Sequence, residues 1–119
     1  MAHVLAIDIG GTKVDVGIVD PSGEVLVRSR ASSRSEHGED LFGNVATLAA
    51  EVLGVSGVRP DVIGVGCGGP MLSGGSEVSP LNIPEWRGFP LRERLADRFD
   101  LPTFVDNDAK ALALGEGWR

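Results

Sequence analysis

Hydrophobic positions along this chain follow two rhythms, one of period two and one of about 3.6 residues. Val4 to Ile9 is a nearly continuous apolar run, closed by Gly10-Gly11. Beyond it Val14, Val16 and Ile18 alternate with Asp15 and Gly17, the pattern of a strand with one buried face. Two strands joined at Gly-Gly predict a hairpin, whose tight turn calls for positive φ. Asp20-Pro21-Ser22-Gly23 predicts a type I turn, with proline and glycine where that turn prefers them. A third strand over Glu24 to Arg30 completes an antiparallel meander.

From Gly38 to about Leu53 the rhythm changes. Leu41, Phe42, Val45, Leu48, Ala49, Val52 and Leu53 recur at helical spacing, with Asn44 and Glu51 off that face. Pro60 and Asp61 then break the chain, and Val62 to Cys67 suits a central strand buried on both faces. Gly68 to Glu85 reads as loop with a short strand near Val78. Pro90 opens a second helix with Leu91, Leu95 and Phe99 on its inner face. Thr103 to Val105 is a fifth strand, and Asp106 or Asn107 can cap a last helix from Ala109 to Arg119. The order β-β-β-α-β-α-β-α predicts an α/β fold, a mixed five-stranded sheet with helices packed on it. The last helix carries no stop signal, so the chain is expected to be part of something longer.

Composition narrows the function. At 119 residues and 42% hydrophobic, the chain fits one domain with a real core. A net charge of -6 argues against a nucleic-acid partner, whose phosphates call for a basic face. No apolar run reaches the roughly 20 residues of a membrane span. The start lacks the basic and apolar regions of a signal peptide. One cysteine, Cys67, forms no internal disulfide and points to a reducing compartment. The expected location is cytoplasmic, with no membrane partner.

Three segments could carry chemistry. In Asp8-Ile9-Gly10-Gly11-Thr12-Lys13, glycines at a hairpin tip let a phosphate approach backbone N–H groups. Thr12 adds a hydroxyl and Lys13 a mobile charge, while Asp8 could hold Mg2+ through water. An ordinary hairpin with a nearby lysine is the plainer alternative. In Asp106-Asn107-Asp108-Ala109, a carboxylate at a strand's carboxyl end could accept a proton from a substrate hydroxyl. The amide could bind a polyol, although both residue types are also common helix caps. The loop from Gly66-Cys67-Gly68-Gly69-Pro70 to Ser79-Pro80-Leu81-Asn82-Ile83-Pro84-Glu85-Trp86 could offer a sugar an amide and an aromatic platform. Alternatively, Trp86 simply fills a gap between loop and sheet.

Other signals fall away. Gly64 to Gly69 matches the G-x-G-x-x-G string, but Pro70 and further glycines stand where a helix should begin. His3, His37 and Cys67 lack metal-ligand spacing. Arg92, Arg94 and Arg98 with Glu93 and Asp97 read as a solvated helix face.

Taken in order, Ala6 to Lys13, Gly64 to Pro70, Ser79 to Trp86, and Leu101-Pro102 through Asn107-Asp108-Ala109 to Glu116 resemble the N-terminal domain of the ROK family of sugar kinases and regulators. The resemblance covers essentially the whole chain. It implies an actin-like ATPase, ribonuclease H-like fold, with residues 1–119 as the N-terminal domain and a C-terminal domain absent. It implies ATP and Mg2+ as cofactors, with Gly10, Gly11, Thr12 and Lys13 at the phosphates and Asp8 near the metal. Asp108 would be the general base, and Asn107, Asn82 and the Gly68-Gly69 backbone would contact the sugar. The substrate class would be a hexose or N-acetylhexosamine, as in glucokinases. Structural zinc and a homodimer interface would belong to the missing domain. Gly68-Gly69-Pro70-Met71 and Lys110 depart from the family's usual residues, both on the sugar side. The alternatives are a sugar-responsive ROK transcription regulator, for whose N-terminal DNA-binding segment only seven residues precede Asp8, and a non-catalytic sugar- or nucleotide-binding module.

Overall fold

The computed structural model describes residues 3–32, 38–67, 77–79 and 86–106. Five strands form one sheet: β1 (Val4–Ile9), β2 (Lys13–Val19), β3 (Val25–Ser32), β4 (Val62–Cys67) and β5 (Thr103–Asp106). Helix α1 (Gly38–Ser56) precedes β4, and α2 (Leu91–Phe99) precedes β5. The strand order is β3-β2-β1-β4-β5. The first three strands pair antiparallel, while β1, β4 and β5 run parallel. This is the mixed sheet that the periodicity predicts; the expected last helix lies outside the described residues.

Alternation decides which side of the sheet each residue serves. Leu5, Ile7 and Ile9 of β1 join Val14, Val16 and Ile18 of β2 and Ile63, Val65 and Cys67 of β4 in one core. Against that face pack Leu41, Phe42, Val45, Leu48, Ala49 and Val52 of α1 and Leu91 and Leu95 of α2. Each such buried aliphatic side chain is worth about 1.5–3 kcal/mol over its exposed state. The opposite face holds a smaller cluster of Val4, Ala6 and Val19, with Val25 and Val62 against it.

The turns follow their residues. Asp20 Oδ1 accepts hydrogen bonds from the Ser22 and Glu24 amides at 2.9 Å each, and Gly23 N–H donates to the Asp20 carbonyl at 2.9 Å. Helix α1 outlasts its predicted end at Leu53 by three residues, because exposed Gly54 is tolerated within it. It stops at Gly57, whose φ of 66° and N–H bond to the Leu53 carbonyl at 3.1 Å make a left-handed cap.

One irregularity redirects a strand. Ile18 pairs with Val27 but Val19 pairs with Val25, so Leu26 is an extra residue, a bulge. A one-residue slip exchanges the two faces of a strand. Val25 therefore joins the small cluster while Val27 packs on the helix-side core. Arg28 and Arg30 are consequently turned to the face opposite the helices.

Candidate functional site

Strands β1, β4 and β5 are parallel, so their carboxyl ends, Ile9, Cys67 and Asp106, lie along one edge of the sheet. Ligands of open α/β sheets gather at that edge. The first hairpin turns there. Its tip is closed by Gly10 N–H donating to the Lys13 carbonyl at 2.9 Å. One expectation needs correcting. The tip does not use left-handed backbone: among the described residues, positive φ belongs to Gly23, Gly57, Gly88 and Asp100. Glycine at position 10 answers a close approach instead, since a Cβ there would stand 3.3 Å from the Lys13 carbonyl oxygen. The Gly10 amide serves the turn. Thr12 and Lys13 are exposed, and Gly11 is half-buried.

A single row crosses the sheet beneath this tip. Arg30 pairs with Asp15, Asp15 with Asp8, Asp8 with Gly66, and Gly66 with Asp106. Asp15 Oδ1 accepts from Arg30 Nε at 2.7 Å and stands 3.6 Å from Arg28 Nη2. The Asp15 side chain is only 13% exposed, against 52% for Arg30, so the arginine folds over the acid. Asp8 is half-buried beside it. Burial holds the Asp8 carboxyl above its usual range, the Asp15 charge pushes the same way, and Arg28 partly offsets both. A carboxylate left short of compensating charge suits a hydrated cation, and Mg2+ commonly uses one or two carboxylates with water and substrate phosphates completing its shell. Among the described residues, no group of three or more His, Cys, Asp or Glu side chains could enclose a metal by itself.

On β4, Gly66 stands opposite Asp8, and Cys67 turns inward to the core. Its thiol is pushed up to about 12, chiefly by burial and secondarily by the Asp8 charge. It is not a nucleophile at neutral pH.

Asp8, Gly10, Gly11, Thr12 and Lys13 are thus brought together at one edge. Gly68, Gly69, Asn82, Asn107 and Asp108 lie outside the described residues. The chain enters Gly68-Gly69 from Cys67 and Asn107-Asp108 from Asp106, two strand ends on the same edge as the hairpin tip. The aromatic-platform reading of Trp86 is overturned: the residue is wholly buried and stacked on Phe89. Arg94, expected on a solvated helix face, is only partly solvated, since it also lies over the Phe42 and Phe89 rings and pairs with Glu39.

Asp15, Arg28 and Arg30 escaped the sequence reading as site residues. Counting outward from the turn pairs Ile9 with Val14 and hence Asp8 with Asp15, so that signal was present. The arginines were hidden by the bulge at Leu26, which no local pattern marks.

The ROK family model matches residues 4–119. The chain is 34% identical over 118 residues to a glucokinase of Thermotoga maritima, covering 97% of this chain and 36% of that protein. It is 32% identical over 111 residues to an N-acetyl-D-glucosamine kinase of Erwinia tasmaniensis, covering 93% of this chain and 36% of the relative. A ROK family glucokinase from Streptomyces griseus, solved in complex with glucose and AMPPNP, superposes with a TM-score of 0.81 at 29% identity, over 93% of this chain and 35% of that one. The chain therefore spans about a third of the length of the curated relatives it matches. The sheet and helices are those of the actin-like ATPase fold of these kinases.

Proposed function

The chain belongs to the ROK family, and from that premise we propose that it is the N-terminal part of an ATP-dependent kinase of hexoses or N-acetylhexosamines. The observation that carries this reading is the convergence, on one sheet edge, of the Gly10–Lys13 tip, the Asp8 carboxylate and the ends of β4 and β5.

In this reading the Gly11 and Thr12 amides, the Thr12 hydroxyl and Lys13 hold the donor phosphates. Gly10 lines the same phosphate site and shapes the tip. Asp8 would hold Mg2+ through water, and a bound metal there would supply charge neutralisation for the phosphates. Asn82, Asn107 and the Gly68-Gly69 backbone hold the sugar. The Asp108 carboxylate takes the proton from the attacking sugar hydroxyl as its oxygen bonds to the γ-phosphorus. The bond from that phosphorus to the β–γ bridging oxygen breaks, releasing ADP. Such chemistry depends mainly on positioning and charge stabilisation. Use of ATP fits a cytoplasmic enzyme, and dimerisation would rest on the rest of the protein.

The test compares the 119-residue chain with the full-length protein, given Mg2+, a hexose and N-acetylhexosamine panel, and ATP or polyphosphate as donor. The expected result is sugar phosphorylation by the longer protein alone, since closure of two domains assembles such sites. Activity in the short chain would refute its incompleteness. No turnover of any sugar by the longer protein would refute the kinase assignment.

A further inference from the structure

Two arginines are delivered to the Asp8 face of the sheet by a single extra residue. Ile18 pairs with Val27 and Val19 with Val25, which leaves Leu26 as the bulged position. Without it, the residues after Val25 would pair one place along, and Arg28 and Arg30 would turn toward the helix-side core. With it, Arg28 stands opposite Gly17 and Arg30 opposite Asp15. Bulges re-aim side chains in this way beside functional sites. Asp15 in turn stands opposite Asp8. Arg30 Nε donates to Asp15 Oδ1 at 2.7 Å, and Arg28 Nη2 lies 3.6 Å from the same oxygen.

Strand stability does not account for this row. Ion pairs to an exposed arginine contribute little, and an uncharged residue at position 15 would remove the like-charge contact with Asp8 altogether. The chain instead keeps both acids and neutralises one. Of the two facing carboxylates of the hairpin, Asp15 is compensated and Asp8 is left for a cation. The difference matters for a divalent ion that arrives with phosphates. Two facing carboxylates attract such an ion by themselves and repel the phosphates. A single carboxylate holds it weakly until phosphate oxygens and water complete its shell.

We propose that Arg30, with Arg28 beside it, is a positioning residue that keeps Asp15 in an ion pair and out of the cation's shell, so that Mg2+ binds at Asp8 only together with the nucleotide phosphates. This rests on the reading above that Asp8 receives the metal.

The experiment is thermal unfolding of the full-length protein at low ionic strength, metal-free and with Mg2+ alone, alongside calorimetry of AMPPNP binding. Arg30→Met keeps the apolar stem and deletes the cation, whereas Arg30→Lys retains the charge. In the parent, Mg2+ alone is expected to leave the melting point within about half a degree. In Arg30→Met, Mg2+ alone should raise it by about one to three degrees. AMPPNP affinity without metal should fall by about 3- to 10-fold in the same variant. Arg30→Lys should follow the parent in both measurements, and adding Asp8→Asn to Arg30→Met should abolish the Mg2+ response. Equal Mg2+ responses in the parent and Arg30→Met overturn the proposal. A melting point lowered alike with and without Mg2+, with AMPPNP affinity unchanged, also overturns it and assigns Arg30 to strand pairing alone. If Asp8→Asn by itself leaves AMPPNP binding in Mg2+ unchanged, the reading of Asp8 fails, and the proposal falls with its premise.

Discussion

Asp8 on β1 and Asp15 on β2 stand directly opposite each other across the first hairpin, two carboxylates on the same face of the sheet. Like charges so placed destabilise a strand pair. Asp15 is compensated by Arg30 at 2.7 Å and Arg28 at 3.6 Å. Asp8 is left beside it, half-buried, with its carboxyl held above the usual range. Folding alone does not call for this arrangement, and binding sites commonly retain such a cost for function.

Asp8→Asn is therefore expected to separate stability from function. A carboxyl whose folded pKa is raised destabilises the fold when ionised. That penalty is complete above the folded pKa and vanishes as pH falls below the unfolded value near 3.8. At pH 7 the asparagine variant should melt no lower than the parent, and by about one or two degrees higher. The gap should close toward acid pH. In the full-length protein the same change should abolish Mg2+-dependent turnover. A melting point several degrees lower at pH 7 would show that Asp8 is a structural partner.

The division between what the sequence revealed and what it concealed follows the range of the interactions. Strands β1, β2, β4 and β5 and the apolar faces of α1 and α2 are written in local periodicity, so their existence and nearly all their bounds were legible. The glycine tip and Asp8 were legible for the same reason. The Leu26 bulge, the Arg30–Asp15 pair and the Arg94–Glu39 pair depend on partners 15 and 55 residues apart in the chain. Nothing local marks them. Trp86 was ambiguous because loop tryptophans face ligands in some proteins and gaps in others, and here the Phe89 ring and the Gly38 carbonyl decide between the two.

Gly10→Ala tests the tip. The added Cβ would stand 3.3 Å from the Lys13 carbonyl oxygen, the acceptor that closes the turn. Since Gly10 is not in the left-handed region, the cost is the spreading of that hydrogen bond. A loss of about 0.5–1.5 kcal/mol is expected in urea unfolding. Gly57→Ala should lose about 1 kcal/mol by another route, since space there is open but φ is 66°. An unchanged midpoint for Gly10→Ala would mean that the tip has slack.

Cys67, 2% exposed and with its thiol pushed up to about 12, should resist a disulfide thiol reagent at pH 8 while native and react fully in denaturant. The thiolate is the reacting form. Below the unfolded value of 9.0 the shift has no effect on stability. Between 9.0 and about 12 the unfolded thiol ionises and the folded one does not, so stability falls as pH rises. Cys67→Ala should flatten that alkaline slope. Rapid labelling of the native chain would contradict this burial.

The base assignment is the sharpest test of the kinase reading, because Asp106 and Asp108 lie two residues apart in the sequence. Asp106 shares the row of Asp8 through Gly66, whereas Asp108 follows two residues later in the sequence. In the full-length protein, Asp108→Asn is expected to lower kcat by about 10²- to 10⁴-fold, the usual contribution of a positioned general base. The asparagine preserves shape and hydrogen bonding, so the sugar KM should stay within a few-fold. Asp106→Asn serves as the comparison and should cost about tenfold or less, since the proposed reading gives this residue no proton to take. Steady-state kinetics on both variants with the preferred sugar decide the matter. If Asp108→Asn keeps its rate and Asp106→Asn loses it, the proton acceptor belongs to the Asp8 row itself, and the Asp108 assignment is wrong.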